Sequence, residues 1–200
     1  MLEWATIANS LRPTLTRDYP SAMKHYDFAQ KFYALHDRAA ALYIRGQRGA
    51  ETFCTVAERA WLAANGLTPQ HLYDYAEDFA NYDEPGPDLA LAIELVRRDY
   101  FLNAQHGRPS QAVLDESALP SKTTAVQGIE WLPLLIPKAR AKLRGELPAS
   151  LMFCCGGDRA FFKKHDILPA EFLNLVWRYE NDNAAVVSWA LRRAAEKSQE

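Results

Sequence analysis

The sequence predicts an all-α protein, with at most a very short β pair, built as two tandem pseudo-symmetric helical units packed together. Three observations carry this. Apolar residues recur at helical spacing over long stretches, as at Phe28, Phe32, Leu35, Ala39, Leu42 and Tyr43. Proline and glycine stand where helices begin and end: Thr68-Pro69 opens one, and Gly46, Gly66 and Gly107 close others. Finally, the second half repeats the first. Phe153-Cys154-Cys155-Gly156-Gly157-Asp158-Arg159-Ala160-Phe161 has a counterpart one hundred residues earlier in Phe53-Cys54-Thr55-Val56-Ala57-Glu58-Arg59-Ala60-Trp61.

The repeat runs from 35–79 against 135–179. Leu35 aligns with Leu135, Arg38 with Lys138, Ala39 with Ala139, Pro69 with Pro169 and Leu72 with Phe172. The first copy then carries extra residues, 81–87, and register returns where Arg97-Arg98 meets Arg192-Arg193. Such self-similarity is the mark of one supersecondary unit used twice.

Taken in order, residues 2–11 read as a short helix, and Pro20 opens a helix over 21–45. Segments 51–56 and 150–155 are short and apolar, and read as extended loop or as brief strands pairing across the repeat. Helices follow at 57–65, from Pro69 to about Ala80, and over 88–105. Residues 108–127, rich in Pro, Ser, Thr and Ala, form a linker expected to lie along the first unit. The second unit places helices at 132–144, 159–165 with Asp158 as N-cap, 169–180 and 183–197. The organisation is thus an N-terminal unit 1–105, a linker 106–128 and a C-terminal unit 129–200. Either unit alone has a thin core, so the two are expected to cover each other's apolar faces.

Composition narrows the function classes. An apolar content of 48% supports a real core, and a net charge of −2 gives no general attraction to nucleic acid or membrane surface. The start, Met1-Leu2-Glu3-Trp4-Ala5, lacks the pattern of a signal peptide, and no apolar run is long enough to span a bilayer. Three cysteines, two of them adjacent, make no disulfide framework; a reduced cytoplasmic protein is the reading.

From Trp131 to Gly145 the chain reads Trp-Leu-Pro-Leu-Leu-Ile-Pro-Lys-Ala-Arg-Ala-Lys-Leu-Arg-Gly. With Cys154, Asp158-Arg159-Ala160-Phe161, Ile167-Leu168-Pro169 and Trp189, this resembles a bacterial family of small helical proteins described only as a domain of unknown function. The resemblance covers about 119–199, and the first unit resembles a diverged copy. Pro137 departs from the family pattern, where an acid is expected; Asp37 keeps it in the first copy. The resemblance implies a mostly helical fold and no activity. The repeat in turn suggests that this chain is a fused form of a single-unit dimer.

The candidate chemistry centres on the Cys-Gly stretch. Cys154 and Cys155 precede a helix N-terminus, where amide N–H groups and Arg159 favour a thiolate. With Asp158, and Lys138 from the preceding helix, they form the candidate for thiol-dependent catalysis or redox sensing. The spacing from Cys154 to Arg159 falls one residue short of a phosphatase loop. Against this, Cys154 and Cys54 read equally as small buried apolar residues. Arg159, its repeat Arg59, and Lys138 are the candidates for holding a small anion, with a pocket on the pseudo-dyad between units. Since Cys155-Gly156-Gly157 becomes Thr55-Val56-Ala57, any site belongs to the second unit.

No metal or other cofactor is expected. The histidines (His25, His36, His71, His106, His165) show no Glu-x-x-His or His-Glu-x-x-His pairing and read as surface residues. The basic run Lys138, Arg140, Lys142, Arg144 reads as a solvated helix, and the acids Asp74, Glu77, Asp78, Asp83, Glu84 and Asp88 as a solvated face. Tyr75, Tyr82 and Tyr100 would mark an interface if exposed together. The function expected is a soluble module that binds a protein partner or a small anionic ligand, with the thiol enzyme or redox sensor as the alternative.

Overall fold

A computed structural model describes residues 25–197. The helix expected over 2–11 and the helix start expected at Pro20 lie outside the described residues. After a 3-10 turn at His25–Asp27, α1 spans Phe28–Ile44. Then come α2 (Val56–Ala64), α3 (Pro69–Tyr82) and α4 (Pro87–Asp99). The helix expected over 88–105 ends in a π turn at Tyr100–Ala104. The second unit holds α5 (Leu132–Arg144), α6 (Gly156–Lys164), α7 (Pro169–Arg178) and α8 (Asn183–Lys197).

The repeat is a repeat of structure. α2 and α6 begin and end on equivalent positions, and their C-caps share one backbone conformation: Asn65 at φ −106°, ψ 8° and His165 at φ −108°, ψ 9°. Beyond each cap the same bond closes the turn, Leu67 N–H to Leu62 O and Ile167 N–H to Phe162 O, both at 2.9 Å. α3 and α7 each start on a proline in the first turn, where the missing N–H has no intrahelical role.

Each unit has its own core. The first gathers Phe32, Leu62, Leu72 and Tyr75 with Ala90 and Leu91 of α4. The second gathers Leu135, Phe162, Phe172, Val176 and Val186, and takes in Ile93 and Val96 from the rest of α4 and Tyr100 from the π turn. α4 therefore belongs to both: it packs on α1 and also on α5 and α7. That shared helix welds the units.

Three expectations are corrected. The β pair exists, but not across the repeat: β1 (Ala125–Val126) and β2 (Ile129–Glu130) form an antiparallel hairpin at the end of the linker. Gln127 (φ 49°) and Gly128 (φ 83°) give the positive φ that a two-residue type I′ turn needs. Ala50–Phe53 is instead a 3-10 turn, and 150–155 has no strand. The linker lies along the second unit: Leu114 N–H donates to Glu146 O at 2.8 Å, Ser110 Oγ to Glu146 Oε1 at 2.7 Å, and Ser150 to Glu116. And α6 begins at Gly156, two residues before Asp158, with Cys155 as N-cap. No described helix is long and apolar enough to cross a membrane.

Candidate functional site

The start of α6 is set by contacts that only small residues permit. A Cβ on Gly157 would lie 2.4 Å from the Trp131 ring, so glycine is what lets the indole close over the helix N-terminus. Trp131 Nε1 then donates to Asp158 Oδ1 at 3.0 Å. Asp158 Oδ2 accepts from Lys138 Nζ at 2.7 Å and from the Cys154 backbone N–H at 2.8 Å. Asp158 is 0% and Lys138 2% exposed, so this is a sealed ion pair whose remaining acceptor positions are filled. Cys154 sits at φ 69°, a conformation unusual for a side chain with a Cβ, held by its bonded N–H and C=O.

These contacts decide the predicted residues one by one. Arg159 donates from Nη1 to Cys154 O at 2.7 Å and to Asp78 Oδ2 at 2.6 Å, and its Nε lies 3.4 Å from Glu84. Arg59 donates to Cys54 O at 2.7 Å and Glu51 O at 3.3 Å. Both guanidiniums thus brace the fold through Nη1, and the acids facing Arg159 repel an anion. Asp78 and Glu84, read as part of a solvated face, instead tie α3 and its following loop to α6. Cys154 is buried with its thiol pushed up to about 12, first by burial and then by the Asp158 charge; burial likewise raises Cys54. Only Cys155 is half-buried, with its Sγ 3.3 Å from Lys138 Nζ. It lines a cleft of about 530 Å³ with Trp131, Leu134 and Lys138, opposite Asp74, Glu77 and Asp78.

A second cavity, about 190 Å³, lies between the units; the sequence predicts a pocket there on Arg59 and Arg159, but neither lines it, and sequence reasoning missed its actual wall. Its wall includes His71 and Tyr75 of α3, Arg97 of α4, Phe101 of the π turn and Lys142 of α5. Behind it Glu94 is 0% exposed. Glu94 Oε1 accepts from Lys142 Nζ at 2.5 Å and from Tyr75 Oη at 2.7 Å, while Oε2 has no donor. His71 explains the vacant oxygen. Its Nδ1 accepts the Thr68 N–H at 3.4 Å and so faces Glu94 Oε2, 3.9 Å away, as one acceptor to another. Burial, then the Lys142 charge, lowers the His71 pKa to about 3, which keeps the ring neutral.

Arg97 is the outlier. It is 2% exposed, and no hydrogen bond from its guanidinium is found among the described residues; Nε and Nη1 are both buried without a partner. Its guanidinium lies 5.3 Å from the Phe101 ring and against Gly145, where a Cβ would lie 2.6 Å from Nη2; Glu94 and Glu146 act on its charge only through space. Burial lowers its pKa to about 10, so the charge persists at neutral pH.

The basic run on α5 is therefore only half solvated: Arg140 and Arg144 are half-buried, but Lys138 and Lys142, one turn apart on one face, are buried against Asp158 and Glu94. The histidines are not all at the surface either. His36 is 1% exposed between the rings of Phe32 and Phe79, and burial lowers its pKa. The tyrosines make no joint patch, since Tyr82 is exposed but Tyr75 and Tyr100 are buried. Among the described residues, no group of three His, Cys, Asp or Glu side chains is placed to hold a metal ion. A hint of the cavity's actual wall stood in the sequence, an acid and an arginine inside the apolar run Ile93-Glu94-Leu95-Val96-Arg97.

No family model matches the chain, and no match is found among the curated proteins or the solved structures. Function must therefore be argued from the site.

Proposed function

We propose that the protein is a small-ligand-binding module that takes an anion in the cavity between its two units. Of the binding roles that the sequence predicts, the cavity supports this one over docking of a protein partner. The observation that carries it is Arg97, a buried cation without a hydrogen-bond acceptor at the wall of a cavity. Leaving such a charge unpaired costs several kcal/mol, and folds avoid it unless something completes the site. The anion is placed at Arg97 rather than at Arg59 or Arg159, each of which already donates from Nη1 to the fold, and neither of which lines this cavity.

The test is thermal unfolding of the full chain in a panel of acetate, benzoate, sulfate and inorganic phosphate, against Arg97→Met. At least one anion raises the wild-type midpoint and leaves the variant's unmoved. A wild type indifferent to all four overturns the proposal.

A thiol-dependent role is the second reading, and one contact favours it: Lys138 Nζ at 3.3 Å from Cys155 Sγ, in an open cleft. Iodoacetamide labelling of the native protein, read by peptide mass, decides it. Fast labelling of Cys155 with a reaction pKa well below the ~8.5 of a free thiol supports it. Labelling at the rate of an ordinary thiol, or only on unfolding, removes it. Cys154 labels only on unfolding in either case.

A further inference from the structure

We infer that the ligand of the inter-unit cavity is a small monocarboxylate with an apolar body, of the size of an aromatic acid or a six-carbon fatty acid. This rests on the anion-binding reading above and adds the ligand's charge, shape and size.

Charge comes first. Of the cations at the cavity, Lys142 is paired with Glu94 at 2.5 Å and Arg144 with Glu180 at 2.8 Å. Arg97 alone lacks a hydrogen-bonded acid. Asp74 also lines the cavity, and burial raises its pKa to about 6, so it is mostly ionised at neutral pH. The site thus supplies at most one positive charge without a hydrogen-bonded acid, and Asp74 beside it opposes any more heavily charged anion. A phosphate monoester, carrying about −1.5 to −2 at neutral pH, brings more charge than this can neutralise. A carboxylate brings one, on a planar group that matches the guanidinium fork.

Shape and size follow from the wall. Its polar part includes His71, Asp74, Arg97 and Lys142. Leu67, Phe101, Leu147, Leu151 and Met152 make up much of its apolar part, so the ligand carries an apolar body away from its charge. An apolar cavity of about 150 Å³ holds benzene. At about 190 Å³ this one has room for a ring or short chain plus a head group, and none for a nucleotide or sugar phosphate. Two features shape that volume. Gly145 has no side chain to displace Arg97 Nη2, and Phe101, on the π turn, packs where a Cβ on Gly66 would lie, 2.5 Å from its ring. Neutral His71 adds a polar side chain to the wall without adding charge.

Isothermal titration of the full chain with benzoate, benzyl alcohol and inorganic phosphate tests this. Benzoate is expected to bind with unit stoichiometry, and benzyl alcohol, the same ring without the charge, on the order of tenfold more weakly or worse. Arg97→Met should weaken benzoate by a similar factor and close the gap between the two, while its own melting point stays at or above wild type because an unpaired buried charge is gone. Should Arg97→Met fail to fold, Leu151→Trp is the second variant. It fills the apolar part from a half-buried position and lowers benzoate affinity on the order of tenfold with Arg97 intact. Phosphate binding through Arg97 with benzoate silent overturns the carboxylate class and leaves the anion site standing. Benzyl alcohol as tight as benzoate, with Arg97→Met or Leu151→Trp without effect, overturns both. No heat from any of the three overturns the class proposed here.

Discussion

In the first unit Arg38 forks onto both oxygens of Glu58, at 2.5 and 2.7 Å, with 41% of the arginine side chain and 18% of the glutamate exposed. In the second unit the equivalent Lys138 meets one oxygen of Asp158 at 2.7 Å, and both are sealed from water. The following arginine does the same work in each, donating to the preceding cysteine carbonyl at 2.7 Å. One network has thus been kept in two dielectric settings. In the wet copy, Glu58 closes a capping box with Thr55 and faces a bidentate arginine. In the dry copy both side chains are shorter, and Trp131 and the Cys154 N–H complete the acid's acceptor positions. Sealing an ion pair demands full hydrogen bonding, because each unfilled position costs more where water cannot reach. The same rule makes Arg97 an outlier.

The largest expected difference comes from deleting the acids. Asp158→Ala strands Lys138 and should cost about 3–5 kcal/mol in urea unfolding, whereas Glu58→Ala loses a cap and an exposed pair and should cost about 1 kcal/mol. Equal losses would mean that burial does not separate the two stations. Exchanging the cations sharpens the comparison. Lys138→Arg forces a larger group into a filled space, at about 1–3 kcal/mol, while Arg38→Lys loses the fork at the surface and costs less than about 1 kcal/mol. A Lys138→Arg protein as stable as wild type would show that the dry station has spare room.

The smallest effect is acid sensitivity in the wet station. Arg38, then the Thr55 N–H and hydroxyl, hold the Glu58 carboxyl down to about 2 from an ordinary 4.5, against the opposing pull of burial. A depressed folded-state pKa gives stability that is present above 4.5 and is lost as pH falls toward 2. Since Arg38 is 41% exposed, the loss should stay near 1 kcal/mol or below. Glu58→Gln should flatten melting temperature against pH over that window; an unchanged slope would assign it to other acids.

Local signals carried the helices far. The stretch 132–144 coincides with α5, 183–197 with α8, and Pro69 does open α3. Each was readable because apolar period and proline position act over one or two turns. The start of α6 was misread because Asp158 resembles an N-cap, yet its carboxylate is drawn to Lys138 and Trp131 in the folded chain. The cysteine stretch was legible as a site for attention, but which thiol stays accessible was not. Neighbours decide that, and they bury Cys154 while leaving Cys155 at a cleft.

By itself, then, the sequence determined the helical class, the order of the helices and the repeat, down to the equivalence of Arg38 with Lys138 and Glu58 with Asp158. Those follow from spacing along one chain. Only the tertiary structure decided which charges lose water. Glu94 and Lys142 stand 48 residues apart, and neither spacing nor residue type shows that α4 lies between both cores and carries Arg97 to a cavity wall. Desolvation depends on everything packed around a group, so it exists only once the two units have closed on each other.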